Sequence, residues 1–349
     1  MKAVFLCAGK GTRMRPISFS VPKHLIPIAN KELLRYNVEK IIDAGITEIG
    51  LVVSPEMASL YKETLGSSKW GASIDYIPQE DPKGLAHAVA CAEKYVDGED
   101  FFVYLGDNLL ESDLKSMIEN FQRTNVAASI LLAAVDDPER FGVVELDGQH
   151  IARLVEKPDN PPTNLAIVGA YAFTSEIFSA IEKIDPSDRG ELEITDAIQT
   201  LIDLDNPVTY SQISGWWLDV GRPSDAITAN RILLDELSEE IAGKLHQVEL
   251  TTKKKIQIEQ TVEATDSKII GPVSIADGVH IQNSTIGPYV SVGEGSEIKQ
   301  SHLKESIIMS EVNLEKVNLT QSIVGSGSEI LLHKQKCRLL AGNQTKLDK

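Results

Sequence analysis

Over the first 240 or so residues, short apolar runs alternate with stretches whose apolar residues return every three or four positions. The runs KAVFLCAG, EIGLVVS, SIDYIPQ, FFVYLGDN and ASILLAAV are rich in β-branched and aromatic residues, and most end in Gly, Ser or Asn. They predict strands. Between them, ELLRYNVEKIIDAG and GLAHAVACAEKYV carry helical periods. Strands alternating with helices predict βαβ units in an α/β fold, with a mixed, mostly parallel sheet covered on both faces. FGVVELDGQHIARLVEKP then alternates like a hairpin around LDGQH, which predicts an antiparallel insertion at one side of that sheet. Helical periods return in SEIFSAIEKI, ELEITDAIQTLID and SDAITANRILLDEL.

The pattern changes again near the C-terminus. Aliphatic residues recur about every six positions at Ile269, Ile275 and Ile281, and again at Ile286, Val292 and Ile298. This is the hexapeptide period of a left-handed parallel β-helix, each step forming one side of a triangular coil. The step shortens to five at Leu303 and Ile308, so an irregular coil is expected. A β-sandwich is the alternative, but its turn signals recur at about 8–12 residues. The expected organisation is a domain over 1–240, a linker over 241–258, the β-helix over 259–340 and a tail over 341–349. HQVELTTKKKIQIEQ supplies the linker, and its KKK at 253–255 reads as solvated.

Composition narrows the functional classes. The chain has 349 residues, 42% hydrophobic and 24% charged, which fits two globular domains rather than disorder. A formal net charge of −17 argues against nucleic acid or an anionic membrane as partner, since both need a concentrated positive field. A phosphorylated small molecule needs only a few local cations. Cys7, Cys91 and Cys337 are scattered without CxxC spacing, as expected of reduced thiols in a cytoplasmic protein, with Cys7 buried by the first strand. AVFLCAG is too short for a signal-peptide core, and no apolar run approaches the roughly 20 residues of a membrane helix.

The chemistry concentrates in FLCAGKGTRMRP, residues 5–16. A glycine-rich turn behind a strand exposes backbone N–H groups that can cradle phosphate oxygens. After Gly9 and Gly11 the third glycine of GxGxxG is replaced by Met14, and no GK[ST] follows, so both common phosphate fingerprints fail. Lys10, Arg13, Arg15 and Lys23 nevertheless cluster behind the first strand, where an open α/β sheet binds its ligands. A solvated basic loop is the alternative. Asp107 in YLGDN and Asp219 in WWLDVG end strand patterns, where an Asp is either a turn former or a ligand. Two such carboxylates beside a phosphate loop suggest a shared Mg²⁺, an ion that takes oxygen ligands from carboxylates and substrate phosphates. Lys157 in LVEKPD is a further cation at a strand end. There is no GxSxG and no zinc-like histidine spacing, and His24, His87 and His150 stand isolated as structural or surface residues.

LCAGKGTRMRPISFSVPKHLIPIANKELL resembles the signature of sugar-1-phosphate nucleotidylyltransferases. The likeness continues in order through QEDPKGLAHA, YLGDN, FGVVE, VEKP, GAYAF, RGELEITDAI and WLDVG. GLA after the glutamine is more similar to thymidylyltransferases than to uridylyltransferases, and with the coil the chain resembles the long-form glucose-1-phosphate thymidylyltransferases. The resemblance implies a Rossmann-like nucleotidyltransferase domain that couples dTTP to a hexose 1-phosphate with Mg²⁺. It implies that Gly9, Gly11 and Thr12 line the triphosphate, while Arg13 and Lys23 neutralise the α-phosphate and departing pyrophosphate. Gln79 and Gly84 would read the pyrimidine, Leu85 would pack beside it, and Asp107 and Asp219 would hold the metal. Lys157 would bind the sugar phosphate, with Gly142, Glu156 and the Ile167 backbone at the hexose hydroxyls. His24 stands where the signature often has Gln, which leaves UTP open. A coil that also transfers acyl groups, through His280 or His302, and a silent regulatory scaffold are the competing readings. Apolar coil faces and open coil ends need covering, by oligomerisation or by packing against the chain's own first domain, and a homo-oligomer is expected.

Overall fold

Ala3, Val4 and Phe5 follow one another in strand Lys2–Leu6, and all are fully buried. Such a run is what a strand needs when both faces of its sheet are covered. The strand pairs in parallel with Glu48–Val53 on one side and Phe101–Leu105 on the other. Ala72–Pro78 extends the parallel centre, and Leu165–Phe173 joins Phe101–Leu105 antiparallel. Leu165–Phe173 also pairs with Ala128–Ala134, which holds Val208–Gln212 in parallel. The result is a mixed ten-stranded sheet with a parallel centre. The predicted hairpin is present: Gly142–Asp147 and His150–Glu156 pair antiparallel, and Gly148 turns the chain at φ +60°. GLAHAVACAEKYV differs from the single helix expected, forming helices Leu85–Ala90 and Glu93–Val96. Ala92 N–H bonds three residues back to Val89, which interrupts the four-residue ladder between them.

The computed structural model describes residues 1–332 and 336–348, without the side chain of Lys253. Residues 333–335 of the expected coil and 349 of the expected tail therefore lie outside the described residues. Two compact units form, one from residues 1–10 and 34–218, the other from 11–33 and 219–349. Packing thus divides the chain elsewhere than at residue 240, since the loop 11–33 and helix Pro223–Asp235 belong with the coil. Residues 241–258 also differ from the linker expected there, since strands Glu240–Ile241, Lys244–Thr251 and Ile256–Ile258 of the coil run through them. Their polar outward positions mask the period in the sequence. Among the described residues no helix is long and apolar enough to cross a membrane.

The coil is a parallel β-helix, in agreement with the left-handed form expected from its six-residue steps. Its register advances by 17 residues from Ile256 to Val273, and by 16 from Val290 to Ser306. Turn length therefore varies along the coil, and the irregularity expected from the shortened step at Leu303 and Ile308 is present. Asp266, Asn283, Gln300, Glu305 and Gln321 occupy the left-handed region at corners, each followed by a serine. Each serine hydroxyl donates to the carbonyl two residues earlier. It also accepts a backbone N–H from the next turn, as Ser301 does from Val317 at 3.2 Å. The serines close corner groups that no strand ladder reaches. Ser301→Ala should leave the Val317 N–H buried and unpaired and lower stability by about 1–3 kcal/mol. Chemical denaturation checks this, and an unchanged midpoint would contradict the ladder.

Candidate active site

In the first unit the polar groups gather where the parallel strands end. Cys7 continues the first strand through its N–H to Val52, and Cys7 and Ala8 remain buried before Gly9 and Lys10 emerge. After Phe101–Leu105 comes Asp107, 8% exposed, whose Oδ1 accepts from Asn108 Nδ2 at 3.0 Å. Asn108 is fixed in turn, since its Oδ1 accepts from Trp217 Nε1 at 2.7 Å and from Gly169 N–H at 3.3 Å. A Cβ at Gly169 would lie 2.8 Å from Asn108 Oδ1, so this approach requires glycine. Tyr61 is fully buried below, its phenol pushed well up by burial and then by Cys7 and Asp107. Tyr61, Asn108 and Gly169 were missed as site residues; YLGDN and GAYAF contain two of them.

Gln79 extends Ala72–Pro78 through its N–H to Val53, and its side chain is 3% exposed. Its Nε2 lies 2.8 Å from His87 Nδ1. An amide nitrogen only donates, so the His87 ring is neutral and accepts at Nδ1. His87 thus has a definite task that isolation in the sequence concealed. Gly84 sits at φ +111°, and a Cβ there would be 2.4 Å from the Leu192 carbonyl oxygen. Ala86 N–H donates to that same oxygen at 3.0 Å, which ties the Gln79–Leu85 loop to the segment before helix Ile194–Asp203.

A third group surrounds Gly142. A Cβ there would meet Thr195 at 2.6 Å, Glu156 Oε2 at 2.9 Å and Ile167 at 3.4 Å, so Gly142, Glu156 and Ile167 do come together. Glu156 Oε2 accepts from the Thr195 hydroxyl at 3.2 Å. Two cations converge on Glu156 Oε1: Lys157 Nζ at 3.1 Å and an Arg189 guanidinium nitrogen at 3.4 Å. Arg189 also reaches Glu193, whose carboxyl burial raises, while the Ser187 hydroxyl bonded to it and Arg189 oppose the rise. Arg189 and Thr195 both lie within RGELEITDAI, a motif whose sequence alone does not reveal that Glu156 is their shared partner.

The second unit holds Gly11, Thr12, Arg13, Lys23 and Asp219. Gly11 is left-handed at φ +57°, its carbonyl accepting from the Ser18 hydroxyl at 2.7 Å. Short 3₁₀ turns Thr12–Met14 and Lys23–Leu25 carry Arg13, which is exposed, and Lys23, which is half-buried. His24 is 1% exposed, hence a core residue. The Arg13 guanidinium packs over Gly221, where a Cβ would lie 2.9 Å from its nitrogen and 3.4 Å from Asp219 Oδ2. Arg13 and Asp219 are therefore gathered about one glycine. Among the described residues no three His, Cys, Asp or Glu side chains form a metal site by themselves. Asp107 in the first unit and Asp219 in the second each offer a carboxylate, the ligand type of which Mg²⁺ commonly takes one or two, completing its shell with phosphates and water.

Two outcomes check this geometry. Gly84→Ala places a Cβ on the Leu192 carbonyl at a strained φ and should destabilise the fold measurably in thermal unfolding. Burial first, then Lys83, lower the His87 pKa, with Asp81 opposing. The neutral ring that accepts from Gln79 is therefore favoured above the ordinary histidine value, and the bond is lost as pH falls through the lowered one. An NMR titration should give His87 a midpoint below about 6.5, the free-histidine value.

A family model described as nucleotidyl transferase matches residues 2–236. The chain is 40% identical over 335 residues to the low-salt glycan biosynthesis nucleotidyltransferase Agl11 of Haloferax volcanii, covering 95% of this chain and 94% of that protein. It is 38% identical over 354 residues to a glucose-1-phosphate thymidylyltransferase of Streptomyces antibioticus, covering 100% and 99% of the two. Among solved structures, UDP-glucose pyrophosphorylase complexed with UDP-glucose is similar with a TM-score of 0.61 and 28% identity. That likeness covers 68% of this chain and 99% of the other.

Proposed function

The chain belongs to the nucleotidyl transferase family, and on that premise we propose that it transfers thymidylate from dTTP to glucose 1-phosphate, releasing pyrophosphate. The observation that carries the acceptor half is the convergence of Lys157 and Arg189 on Glu156 beside Gly142. It sets cations for a phosphate next to a carboxylate that can accept from sugar hydroxyls. The full-length likeness to a thymidylyltransferase supports dTTP as donor. Gln79 suits a pyrimidine: with one Nε2 hydrogen given to His87, the other hydrogen and Oε1 remain for an acceptor and a donor on the base. Gly84 and Leu85 complete that side, and Gly9, Gly11 and Thr12 offer backbone groups to the triphosphate.

In the proposed reaction an oxygen of the sugar phosphate attacks the α-phosphorus. The new P–O bond forms as the bond to pyrophosphate breaks in line on the other side. The attacking oxygen is already ionised near neutral pH, so the chain needs no general base. Arg13 and Lys23 neutralise the transferring group and the leaving oxygens, and catalysis is orientation and electrostatics. Asn108 holds the Asp107 carboxylate in one orientation. Mg²⁺ held by Asp107 and Asp219 would add positive charge at the phosphates.

Pyrophosphate release measured for dTTP, UTP, GTP, CTP and ATP against several sugar 1-phosphates tests the reading. dTTP with glucose 1-phosphate should be the fastest pair. A preference for UTP would favour the uridylyl reading, which draws support from the UDP-glucose pyrophosphorylase likeness. Arg13→Ala, Lys23→Ala and Asp107→Asn should each lower turnover at least about a hundredfold. Near-wild-type turnover of Asp107→Asn in Mg²⁺ would remove that metal assignment.

A further inference from the structure

We infer that the β-helix is the platform that positions the loop carrying Arg13 and Lys23, with Asn30 and Asn230 as the positioning residues. This rests on the roles proposed for Arg13 and Lys23. Two residues beyond Lys23–Leu25 the chain makes a hairpin, Pro27–Ile28 against Lys31–Glu32. Its two-residue tip has Ala29 at φ +48° and Asn30 at φ +63°. Positive φ at both positions matches the twist of a tight hairpin, but alanine seldom occupies it unaided.

The aid comes from the coil and from helix Pro223–Asp235. Asn30 Nδ2 lies 3.0 Å from the Ser274 carbonyl oxygen, from Ser274 Oγ and from the Val292 carbonyl oxygen. Ser274 and Val292 belong to Val273–Ile275 and Val290–Val292, strands paired on successive turns. One carboxamide therefore spans two turns of the coil. Asn230, 1% exposed, accepts at Oδ1 from Ala29 N–H at 2.8 Å and from the Ser291 hydroxyl at 3.0 Å. A second clamp lies nearer Arg13. Asn343 N–H donates to Ser20 Oγ at 3.3 Å, and a Cβ at Gly342 would come within 3.1 Å of the Pro16 carbonyl oxygen. Lys23 lies between the clamps, and Arg13 precedes Pro16 of the nearer one by three residues.

The coil is built to be covered here. Val273–Ile275, Val290–Val292 and Ser306–Ile308 are buried at all three positions. Strands on other sides, such as His280–Gln282 and His302–Lys304, are exposed at both outward positions. The covered side offers small hydroxyls, Ser274 and Ser291, where the others offer charged or amide groups.

Asn30→Gly in the full-length protein is the decisive variant, because glycine tolerates the left-handed turn and only the amide bonds are lost. Hydrogen exchange of the amides from 11 to 28 should become faster while the coil strands keep wild-type protection. Turnover should fall roughly ten- to a hundredfold, as a small displacement of catalytic groups does. KM for glucose 1-phosphate should stay within about twofold, since its proposed contacts are elsewhere. Wild-type exchange in that loop, or faster exchange with wild-type turnover, would overturn the proposal. If the unaltered enzyme releases no pyrophosphate from any pair of substrates, the reaction assignment fails. Exchange in Asn30→Gly still decides whether the coil holds the loop.

Discussion

Parallel strands buried on both faces cannot present polar side chains along their length, and this constraint governs where chemistry can occur in the first unit. Lys2–Leu6 is flanked in parallel by Glu48–Val53 and Phe101–Leu105, so its backbone groups are taken and its side chains from Ala3 to Leu6 are core. Polar function is displaced to the strand ends. Gly9 and Lys10 follow the first strand, Asp107 follows Phe101–Leu105, and Gln79 follows Ala72–Pro78. Glu156 and Lys157 stand at the end of the hairpin strand His150–Glu156. Each comes to its place because the apolar run before it stops there.

Position at a strand end is only half of a site; the other half is orientation. Asp107, Gln79 and Glu156 are each held by a neighbour: Asn108, His87 and Thr195 respectively. Such neighbours remove rotamer freedom before any substrate arrives, which is what electrostatic catalysis requires. The glycines act by the same logic from the opposite direction. At Gly142 and Gly169 a Cβ would strike Thr195 and Glu156, or Asn108, and at Gly84 it would strike the Leu192 backbone that anchors the loop after Gln79.

These roles explain what could and could not be read from the chain alone. Alternation of strand and helix, the hairpin around LDGQH and the six-residue coil period are local signals, and the structure carries each of them. Arg13, Lys23, Asp107 and Lys157 stood out because charge beside a strand end is visible in one dimension. Arg189, Tyr61 and Asn108 did not, because their partners are distant in sequence: Glu156 is 33 residues from Arg189, and Trp217 is 109 from Asn108. A histidine read as isolated, His87, shares a hydrogen bond with Gln79 only because a loop folds back. Residues 241–258 read as linker because their outward positions are polar, although Leu245, Val248 and Leu250 pack against the coil core.

The coil shows the same division within a single motif. Every side contributes an aliphatic residue to the interior, so the period reveals the coil but not which side is covered. The outward residues hold that information. Where they are charged or amide-bearing, as in HIQ, EIK and HLK, the side faces water. Where they are small, as in VSI and VSV, alternation of burial disappears and all three residues lie inside. Serine there is neither a solvated surface residue nor an apolar core residue. A short side chain lets helix Pro223–Asp235 and the hairpin tip come close, and its hydroxyl and neighbouring carbonyls supply partners for two carboxamides. Apolar packing alone would hold those elements without specifying their register, whereas directional bonds to Ser274, Ser291 and Val292 allow one register. The proposed roles of Arg13 and Lys23 at phosphate oxygens would call for that second kind of contact, because electrostatic catalysis depends on orientation.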